Sequence, residues 1–579
     1  MNGGTIIGEV LRKHGVEFIF TLCGGHISPI LVGSDKAGIK VVDVRDEKNA
    51  VFAADAVARM TGVPGIAAVT AGPGLTNTIT AIKNAQMAQS PLIVFGGATA
   101  TVLKGRGSLQ DIDQMSLMAP HVKWATSLKA VKDIAPTLER AFRISQAGVP
   151  GPVFIEVPVD LLYDEATVRE WYMKETGVDK SKAVGAKLLK LYLNRHLGQI
   201  FGGAQKVKFG EPVDSDVPDL DMDQLKEAAE YINGAKRPVL VLGSQTMLQA
   251  QEAHAIASAV RALGIPTFLG GMARGLLGAE SDIQFKHKRS AALKEADVVI
   301  VAGFPFDFRL GYGRSINSKA TLIAANRSAL ELRKNRRPSL AIRCDAGRFI
   351  QALADNTPRP HGRWDSWIDE CRQRENARND EIASQAKLPA TEYINPLLLC
   401  THIEEVMDED SVMVVDGGDF VATAAYICKP RSPLSWLDPG VFGTLGVGGG
   451  FAVGAALCRP KAETWIIWGD GSAAYSLSEF DTCVRHGLPV IAVVGTDASW
   501  QQIAREQVEI LGTPLGTELR RTDYHKVAEG YGGKGLLLDD PEKIPQVLAK
   551  AKKLAAKGHP VLINAQIGAT DFRKGSISM

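Results

Sequence analysis

The 579-residue sequence lacks three features that would each indicate a specialised class of protein. Its seven cysteines are scattered, form no CxxC pair and are odd in number, which argues against a disulfide framework or a structural zinc motif. No run of about 20 apolar residues marks a membrane span, and the amino terminus has no apolar signal-peptide core. We therefore expect a cytoplasmic protein without an integral membrane segment.

An excess of charge of either sign is also missing. The chain has 66 Lys and Arg against 64 Asp and Glu, a formal net charge of +2, so no overall electrostatic footprint for nucleic acid is present. With 45% hydrophobic and 22% charged residues, the composition is that of an ordinary globular protein. The length suggests three domains of roughly 150 to 200 residues each.

Short apolar runs closed by Gly or Pro recur along the chain and alternate with helical patterns. Runs such as PLIVFGG (91–97), DVVIVAG (297–303) and TWIIWGDG (464–471) are continuous, as expected for strands covered on both faces of a parallel sheet. The predicted fold class is therefore α/β, with three doubly wound parallel-sheet domains. The expected divisions are domains at 1–165, 221–355 and 391–579, with linkers at 166–220 and 356–390.

The first linker contains the stretch KSKAVGAKLLKLYLNRHLGQIFGG (180–203), in which leucines fall near helical spacing among lysines. This pattern predicts an amphipathic helix. Packing of the helix on its own protein is the favoured interpretation. A membrane-surface helix or a lid over the substrate remain the alternatives.

The most specific motif is Gly469-Asp470-Gly471, which follows an apolar run, and Asp497 ends the next such run. The two aspartates therefore lie at the carboxyl ends of two strands joined by one helix, where open α/β sheets bind ligands. Two converging carboxylates would repel each other unless a cation lay between them, and oxygen donors suit Mg²⁺ or Ca²⁺. Read alone, GDG could equally be a tight turn with an exposed aspartate.

Gly471 and Ser472 follow at the start of the predicted helix, where backbone N–H groups can bind a phosphate. A metal held by carboxylates beside an anion site is a usual way to bind a diphosphate. The sequence thus indicates a metal and diphosphate site in the third domain.

At this point the chain resembles the thiamine diphosphate enzymes of the acetolactate synthase, oxalyl-CoA decarboxylase and 2-hydroxyacyl-CoA lyase group, over nearly its whole length. That group has pyrimidine-binding, central and diphosphate-binding domains in this order. Its cofactor motif is GDG followed some two dozen residues later by two asparagines. Here the pair reads Thr496-Asp497, so a carboxylate replaces the second amide, which should tighten binding of Mg²⁺. The resemblance implies the backbone carbonyl of Ser499 as the third protein ligand.

The resemblance also assigns a role to Glu47, which follows the run VVDVRD and precedes the helix-like NAVFAADAVAR. Thiamine diphosphate reacts through C2 of its thiazolium ring, and in these enzymes a glutamate bonded to N1′ of the aminopyrimidine promotes this chemistry. A carboxyl in an apolar pocket can share a proton with a ring nitrogen. The alternative is helix capping, which we assign to the neighbouring Asp46.

Other cofactor-binding residues follow from the same resemblance. The stretch TAGPGLTN (70–77) belongs beside the aminopyrimidine, and VVDGGDF (414–420) belongs beside the diphosphate. The bulky apolar residue of PGVFGTLGVGGGFAVGA (439–455) holds the cofactor in a bent conformation. The residues implied are Gly72, Gly74, Gly417, Gly418 and Leu445, with Gly469 of the GDG motif.

The substrate side is less defined by the sequence. The segment CGGHISPI (23–30) places Gly25, His26 and Ser28 near the expected substrate position, where His26 could relay a proton or have a structural role. Gln110 matches a residue of the synthases and lyases alike. In the central domain Arg274 and Arg309 could contact the phosphates of a nucleotide, ADP or CoA, where acetolactate synthases bind FAD.

The nearest match is the acetolactate synthase-like 2-hydroxyacyl-CoA lyase subfamily, through TDASWQQIAREQVEILG (496–512) and the tail QIGATDFRKGSISM (566–579). It implies cleavage of 2-hydroxyacyl-CoA into formyl-CoA and an aldehyde, reversible as an acyloin condensation. One alternative is an acetolactate synthase-like carboligase acting on pyruvate or small aldehydes, and another is a non-catalytic cofactor-binding subunit. The family closes its active site between subunits, so a homodimer or homotetramer is expected.

Overall fold

The structure is a computed structural model that describes residues 2–178, 181, 183–213, 215–357, 362–390 and 392–574. The last five residues of the tail motif, and a few residues of both predicted linkers, lie outside these ranges. The described chain forms two compact units. The first comprises residues 1–58 and 63–216, and the second comprises residues 59–62 and 217–579.

The first unit is built on a parallel six-stranded sheet with the strand order β2-β1-β3-β4-β6-β5. Its strands are continuous apolar runs, and β3, β4 and β6 are buried along their whole length because helices cover both faces. The strands are β1 (Phe18–Leu22), β2 (Lys40–Asp43), β3 (Gly65–Val69), β4 (Leu92–Ala98), β5 (Trp124–Ser127) and β6 (Val153–Pro158). The helices are α1 (Gly3–Lys13), α2 (Ser28–Lys36), α3 (Glu47–Thr61), α4 (Pro73–Thr76), α5 (Ile79–Ala88), α6 (Gln114–Met118) and α7 (Ile134–Gln146).

Two further helices, α8 (Glu165–Thr176) and α9 (Val184–Phe201), complete the first unit. The predicted amphipathic helix is α9, whose Leu193 and Leu197 are buried in the core of this unit. Packing on its own protein therefore accounts for one face of the helix. The described helices of the chain include none that is long and apolar enough to cross a membrane.

The second unit contains two more parallel six-stranded sheets. The central sheet has the order β12-β11-β10-β7-β8-β9. Its strands are β7 (Pro238–Leu242), β8 (Thr267–Leu269), β9 (Gln284–Phe285), β10 (Val298–Ala302), β11 (Thr321–Ala325) and β12 (Leu340–Ile342). Its helices are α10 (Met222–Gly234), α11 (Ala253–Leu263), α12 (Arg289–Glu295) and α13 (Ala346–Asn356), and α14 (Asp365–Ala386) follows them.

The third sheet has the order β14-β13-β15-β16-β18-β17, which repeats the strand order of the first sheet. Its strands are β13 (Val412–Asp416), β14 (Trp436–Leu437), β15 (Thr464–Gly469), β16 (Val490–Thr496), β17 (Lys534–Leu538) and β18 (Val561–Gln566). Its helices are α15 (Pro396–Val406), α16 (Asp419–Ile427), α17 (Gly448–Cys458), α18 (Asp470–Ala473), α19 (Glu479–His486), α20 (Gln501–Leu511), α21 (Tyr524–Gly530) and α22 (Ile544–Ala555).

These three sheets confirm the predicted fold class. Parallel strands end together at one edge of a sheet, so the loops after β2, β3 and β4 meet in the first sheet. The loops after β13, β15 and β16 meet in the same way in the third sheet. The domain boundaries drawn between the sheets remain a prediction.

Candidate active site

Glu47 lies at the start of α3, immediately after β2, and its side chain is 7% exposed. Asn77 Nδ2 donates a hydrogen bond of 3.0 Å to Glu47 Oε2. A Cβ built on Gly74 would lie 3.6 Å from Glu47 Oε1, so the glycine leaves open space beside this oxygen. Asp46, not Glu47, accepts a hydrogen bond from the N–H of Lys48 in the first turn of α3. The carboxylate of Glu47 therefore bonds Asn77 and does not take part in this bond to the helix backbone.

The turn after β3 is held by a buried glutamine that the sequence analysis did not single out. Gly72 has a φ of +60°, and a Cβ there would lie 2.9 Å from the carbonyl oxygen of Gln110. The N–H of Gly72 donates to Gln114 Oε1 at 3.3 Å, and Gln114 Nε2 donates to Gly97 O at 3.0 Å. Gln110 itself adopts a φ of +64°. The loop that contains Gly72 and the loop that contains Gln110 therefore pack closely, and each has a left-handed residue at the contact.

His26 belongs to the same cluster. Its Nδ1 lies 3.1 Å from Oγ1 of Thr70, whose Cγ2 would lie 2.8 Å from a Cβ on Gly74. Burial lowers the pKa of His26, so the neutral ring is favoured near neutral pH. Gly25 is exposed, with open space at its Cβ position, and Ser28 Oγ donates to Gly24 O at 3.3 Å.

Asp470 and Asp497 end adjacent strands, since Gly469 of β15 is paired with Gly495 of β16. Asp470 Oδ2 accepts from the N–H of Ala498 at 2.8 Å, and Asp497 Oδ1 accepts from the N–H of Ser499 at 3.0 Å. Asp470 therefore holds the backbone that follows Asp497. Ala498 adopts a φ of +59°, which turns the chain back at this point.

The electrostatics of the two aspartates fit a cation. Burial raises the pKa of Asp470 to about 6. Burial and the nearby charge of Asp470 raise the pKa of Asp497 to about 7. A divalent cation between the two carboxylates would offset both effects. Within the described ranges no group of three or more His, Cys, Asp or Glu side chains is arranged to hold a metal. The predicted ligands here are only two carboxylates, those of Asp470 and Asp497, together with a backbone carbonyl.

Two of the glycines predicted to lie beside the diphosphate, Gly417 and Gly471, are needed for close packing. Gly417 has a φ of +126°, and a Cβ there would lie 2.4 Å from Ser472 Oγ. Ser472 Oγ donates to the carbonyl of Asp416 at 2.6 Å, which ties the start of α18 to the end of β13. A Cβ on Gly471 would lie 2.4 Å from the ring of Trp500, while Gly418 has room for one.

Asp416 positions the segment that contains Leu445. Its carboxylate is fully buried and accepts hydrogen bonds from the N–H groups of Gly446 at 3.0 Å and Gly448 at 2.8 Å and from the Trp468 indole at 3.0 Å. Burial raises the pKa of Asp416 to about 6. Leu445, which is half-buried, is thus anchored through the next residue to the end of β13.

A second site in the same unit is a cavity of about 700 Å³ lined by Arg274, Lys286, Lys288, Arg289 and Arg378. It is called the basic cavity below. Sequence reasoning had indicated Arg274 here. It had also indicated Arg309, whose guanidinium instead binds Asp307 at 2.6 Å and lies over Phe304.

Three cations of the basic cavity are partly buried and form no direct ion pair with a carboxylate that the structure describes. Arg274 lies 4.7 Å from the Trp436 ring centroid, Lys286 donates to the carbonyls of Tyr426 and Ile427 at 3.1 Å, and Arg289 donates to the carbonyl of Arg309. In the described part of the chain no carboxylate oxygen lies within 4 Å of a side-chain nitrogen of these three, although Glu375 accepts a hydrogen bond from the backbone N–H of Lys286 at 3.0 Å. Burial lowers the pKa of each. Partly buried cations without a direct ion-pair partner favour binding of an anion.

Comparison with known proteins identifies the family. Models of thiamine pyrophosphate enzymes match residues 1–117 (N-terminal TPP binding domain), 225–353 (central domain) and 416–565 (C-terminal TPP binding domain). The chain belongs to the thiamine pyrophosphate enzyme family. The resemblance noted in the sequence is therefore confirmed, and the family's TPP binding domains make thiamine diphosphate the cofactor.

Relatives in this family match the chain along its length. The chain is 50% identical to "2-hydroxyacyl-CoA lyase 2" of Danio rerio, covering 100% of this chain and 93% of the relative. It is 47% identical to the human protein of the same name, covering 100% and 92%. It is 32% identical to the large subunit of acetolactate synthase from Mycobacterium tuberculosis, covering 97% and 95%.

Proposed function

We propose that this protein is a thiamine diphosphate- and Mg²⁺-dependent carbon–carbon lyase that cleaves 2-hydroxyacyl-CoA into formyl-CoA and an aldehyde, and that can catalyse the reverse acyloin condensation. The observation that carries the proposal is the basic cavity, because its cluster of partly buried cations, three of them without a direct ion-pair partner, suits the phosphates of CoA. The names of the most similar relatives support the same substrate class.

The site residues form two groups, called the cofactor half-sites below: those around Glu47 in the first sheet and those around Asp470 in the third sheet. Each has a role in this proposal. Glu47 shares a proton with N1′ of the aminopyrimidine, and Asn77 orients the carboxylate. Asp470, Asp497 and the carbonyl of Ser499 hold Mg²⁺. When bound, thiamine diphosphate would supply a nucleophilic carbon for reaction with the substrate carbonyl.

The remaining residues bind and orient. The N–H of Ser472 would face the diphosphate, whereas the N–H of Gly471, predicted for the same role, donates to Asp470 Oδ1 at 2.8 Å. Gly417 and Gly418 would lie beside the diphosphate, and Leu445 would hold the cofactor in its bent form. Gly74 leaves space beside Glu47 for the pyrimidine, and Gly72 allows Gln110 to pack against the turn. Gly25, His26, Ser28 and Gln110 lie on the substrate side, where the neutral ring of His26 can accept a proton.

The subunit arrangement is part of the proposal. In the resembling family the pyrimidine-binding domain of one subunit meets the diphosphate-binding domain of another, so we propose a homodimer or homotetramer. Sedimentation velocity of the holoenzyme tests this directly, because a catalytically active monomer would contradict it.

The function is tested with purified protein, thiamine diphosphate and Mg²⁺. A lyase releases formyl-CoA and an aldehyde from a 2-hydroxyacyl-CoA, whereas the alternative carboligase, favoured by the identity to acetolactate synthase, makes acetolactate from pyruvate. Mass spectrometry of ligands released from the native protein adds a second readout, since CoA supports the lyase and FAD supports the synthase. If neither substrate is turned over, the remaining explanation is a non-catalytic subunit that binds the cofactor.

The basic cavity provides a more specific prediction. Arg289→Met removes a partly buried cation that forms no direct ion pair with a carboxylate, a change that need not destabilise the fold. We expect KM for a 2-hydroxyacyl-CoA to rise by about tenfold or more with little change in kcat, because a charged contact to phosphate is lost. KM for the corresponding pantetheine thioester, which has no nucleotide, should be unchanged.

The matched control for this variant is Arg372→Met, on an exposed arginine that pairs with Asp369 elsewhere on α14. It should leave both KM values unchanged. Equal KM values for Arg289→Met and the wild type with the CoA thioester would contradict the assignment of the cavity.

Replacing Asp497 with asparagine should have opposite effects on metal-free stability and on Mg²⁺ affinity. Asp497→Asn removes one of two repelling carboxylates, so the metal-free variant should be more stable than the metal-free wild type at mildly alkaline pH. The same change removes a charge from the metal site, so Mg²⁺ affinity should fall by about tenfold without being abolished. Thermal unfolding with and without Mg²⁺ measures both effects. A fall in metal-free stability would show that the two carboxylates do not repel each other.

A further inference from the structure

The first sheet has a second place where the order of its strands reverses. After β4 the chain passes over one position to form β5 and then turns back to form β6 between them. Such reversals leave a crevice outside the carboxyl ends of the strands. The other reversal, between β1 and β3, lies beside Glu47 and Gly72 and serves the cofactor half-site.

A cavity of about 850 Å³ occupies this second crevice, and we name it the β4–β6 crevice. Thr101, Ser127 and Pro158 line it at or just after the ends of the three strands, and His196 and Ile200 of α9 form the opposite wall. His196 Nε2 lies 2.6 Å from Thr101 Oγ1, so a direct contact joins the helix to the sheet. The volume lies in the range of about 300–1,000 Å³ that is usual for small-molecule sites.

Three lysines line the β4–β6 crevice, Lys104, Lys129 and Lys132. Lys104 forms an ion pair with Glu156, which is 1% exposed. Lys129 and Lys132 form no ion pair with any carboxylate that the structure describes. The crevice therefore contains two more positive charges than its own residues neutralise, which favours an anionic ligand.

Part of the remaining lining is apolar. Leu128, Ala130, Pro158 and Ile200 present hydrocarbon to the cavity beside the ammonium groups. A fully solvated inorganic anion would gain nothing from these side chains, whereas a ligand with an alkyl group would bury it against them.

We propose that the β4–β6 crevice binds a small amphipathic anion, a carboxylate carried on an alkyl chain, at a site separate from both cofactor half-sites. Lys129 and Lys132 bind the carboxylate, and the apolar wall formed by β5, β6 and α9 binds the chain.

The test uses the full-length holoenzyme and isothermal titration calorimetry with octanoate, acetate and inorganic phosphate as probes. Octanoate should bind saturably at one site per chain and at least about tenfold more tightly than acetate, because each buried methylene adds to the affinity. Inorganic phosphate should bind more weakly than octanoate. The double variant K129A/K132A should weaken octanoate binding by about tenfold, since it removes two exposed charge contacts.

The matched control is K187A/K553A, which removes two charges from exposed lysines outside the crevice. It should bind octanoate as the wild type does. The proposal is overturned by absence of saturable octanoate binding, by equal affinity for octanoate and acetate, by phosphate binding more tightly than octanoate, or by unchanged affinity in K129A/K132A. The last result would place octanoate elsewhere, for example where an acyl substrate binds.

Discussion

Replacing Glu47 with glutamine should reduce turnover by about 10²- to 10⁴-fold while leaving thiamine diphosphate binding within a few-fold of the wild type. A glutamine keeps an oxygen that can accept the hydrogen bond from Asn77 Nδ2, so the local packing survives. It cannot share a proton with N1′ as a carboxyl does, and the cofactor is then bound but poorly activated. Turnover of a 2-hydroxyacyl-CoA and cofactor affinity by fluorescence titration measure the two effects separately.

Glu165→Gln is the matched control, because Glu165 also begins a helix but is exposed and pairs with Arg169. It should leave turnover unchanged. Wild-type turnover in Glu47→Gln would remove Glu47 from the catalytic machinery. A parallel loss of turnover and of cofactor affinity would instead show that Glu47 acts only in binding.

Replacing Asp470 with alanine should abolish Mg²⁺-dependent binding of thiamine diphosphate. Asp470 is 2% exposed, accepts the hydrogen bond from the N–H of Ala498 and is a proposed metal ligand, so its replacement removes both the charge and the support of the turn after Asp497. The loss of Mg²⁺ affinity should exceed the roughly 10- to 100-fold effect of removing a residue that merely supports a ligand. A Mg²⁺ titration of cofactor binding measures it.

Two further variants interpret this result. Asp470→Asn keeps an acceptor oxygen without the charge, so a loss similar to that of the alanine variant would assign the effect to the metal and not to the turn. Asp539→Asn alters an exposed aspartate of the same domain and should behave as the wild type. Unchanged Mg²⁺ dependence in Asp470→Ala would contradict the metal assignment.

The comparison of sequence with structure separates residues set by local pattern from residues set by packing. Asp470 and Asp497 could be placed together because each directly follows an apolar strand, and consecutive parallel strands often become neighbours. Gln114 could not be found, since nothing in QMSLM indicates that its amide joins Gly72 to Gly97. Asp416 was missed in the same way, because its role depends on a backbone turn 30 residues later.

The basic cavity shows a different limit of sequence reasoning. Residues 356–390 read as a polar linker carrying one helix, and α14 spans 22 residues there, but its placing of Arg378 in the cavity wall was not foreseen. Trp364 and Trp367 of this segment are each 3% exposed and donate indole hydrogen bonds to carbonyls of the central domain. A strongly charged helix shows little periodicity of apolar residues in its sequence. Nothing in the sequence therefore indicates that the two tryptophans anchor this segment to the central domain.

The strand order shared by the first and third sheets is what duplication of one ancestral coding segment would leave behind. The two copies would then have diverged by moving their acidic residue, to the exit of the second strand for Glu47 and to the exit of the third for Asp470. A coenzyme with one aromatic end and one ionic end is in this view recognised by two descendants of the same binding module. Chimeras that exchange equivalent strand–helix units between the copies would be the natural way to retrace that history.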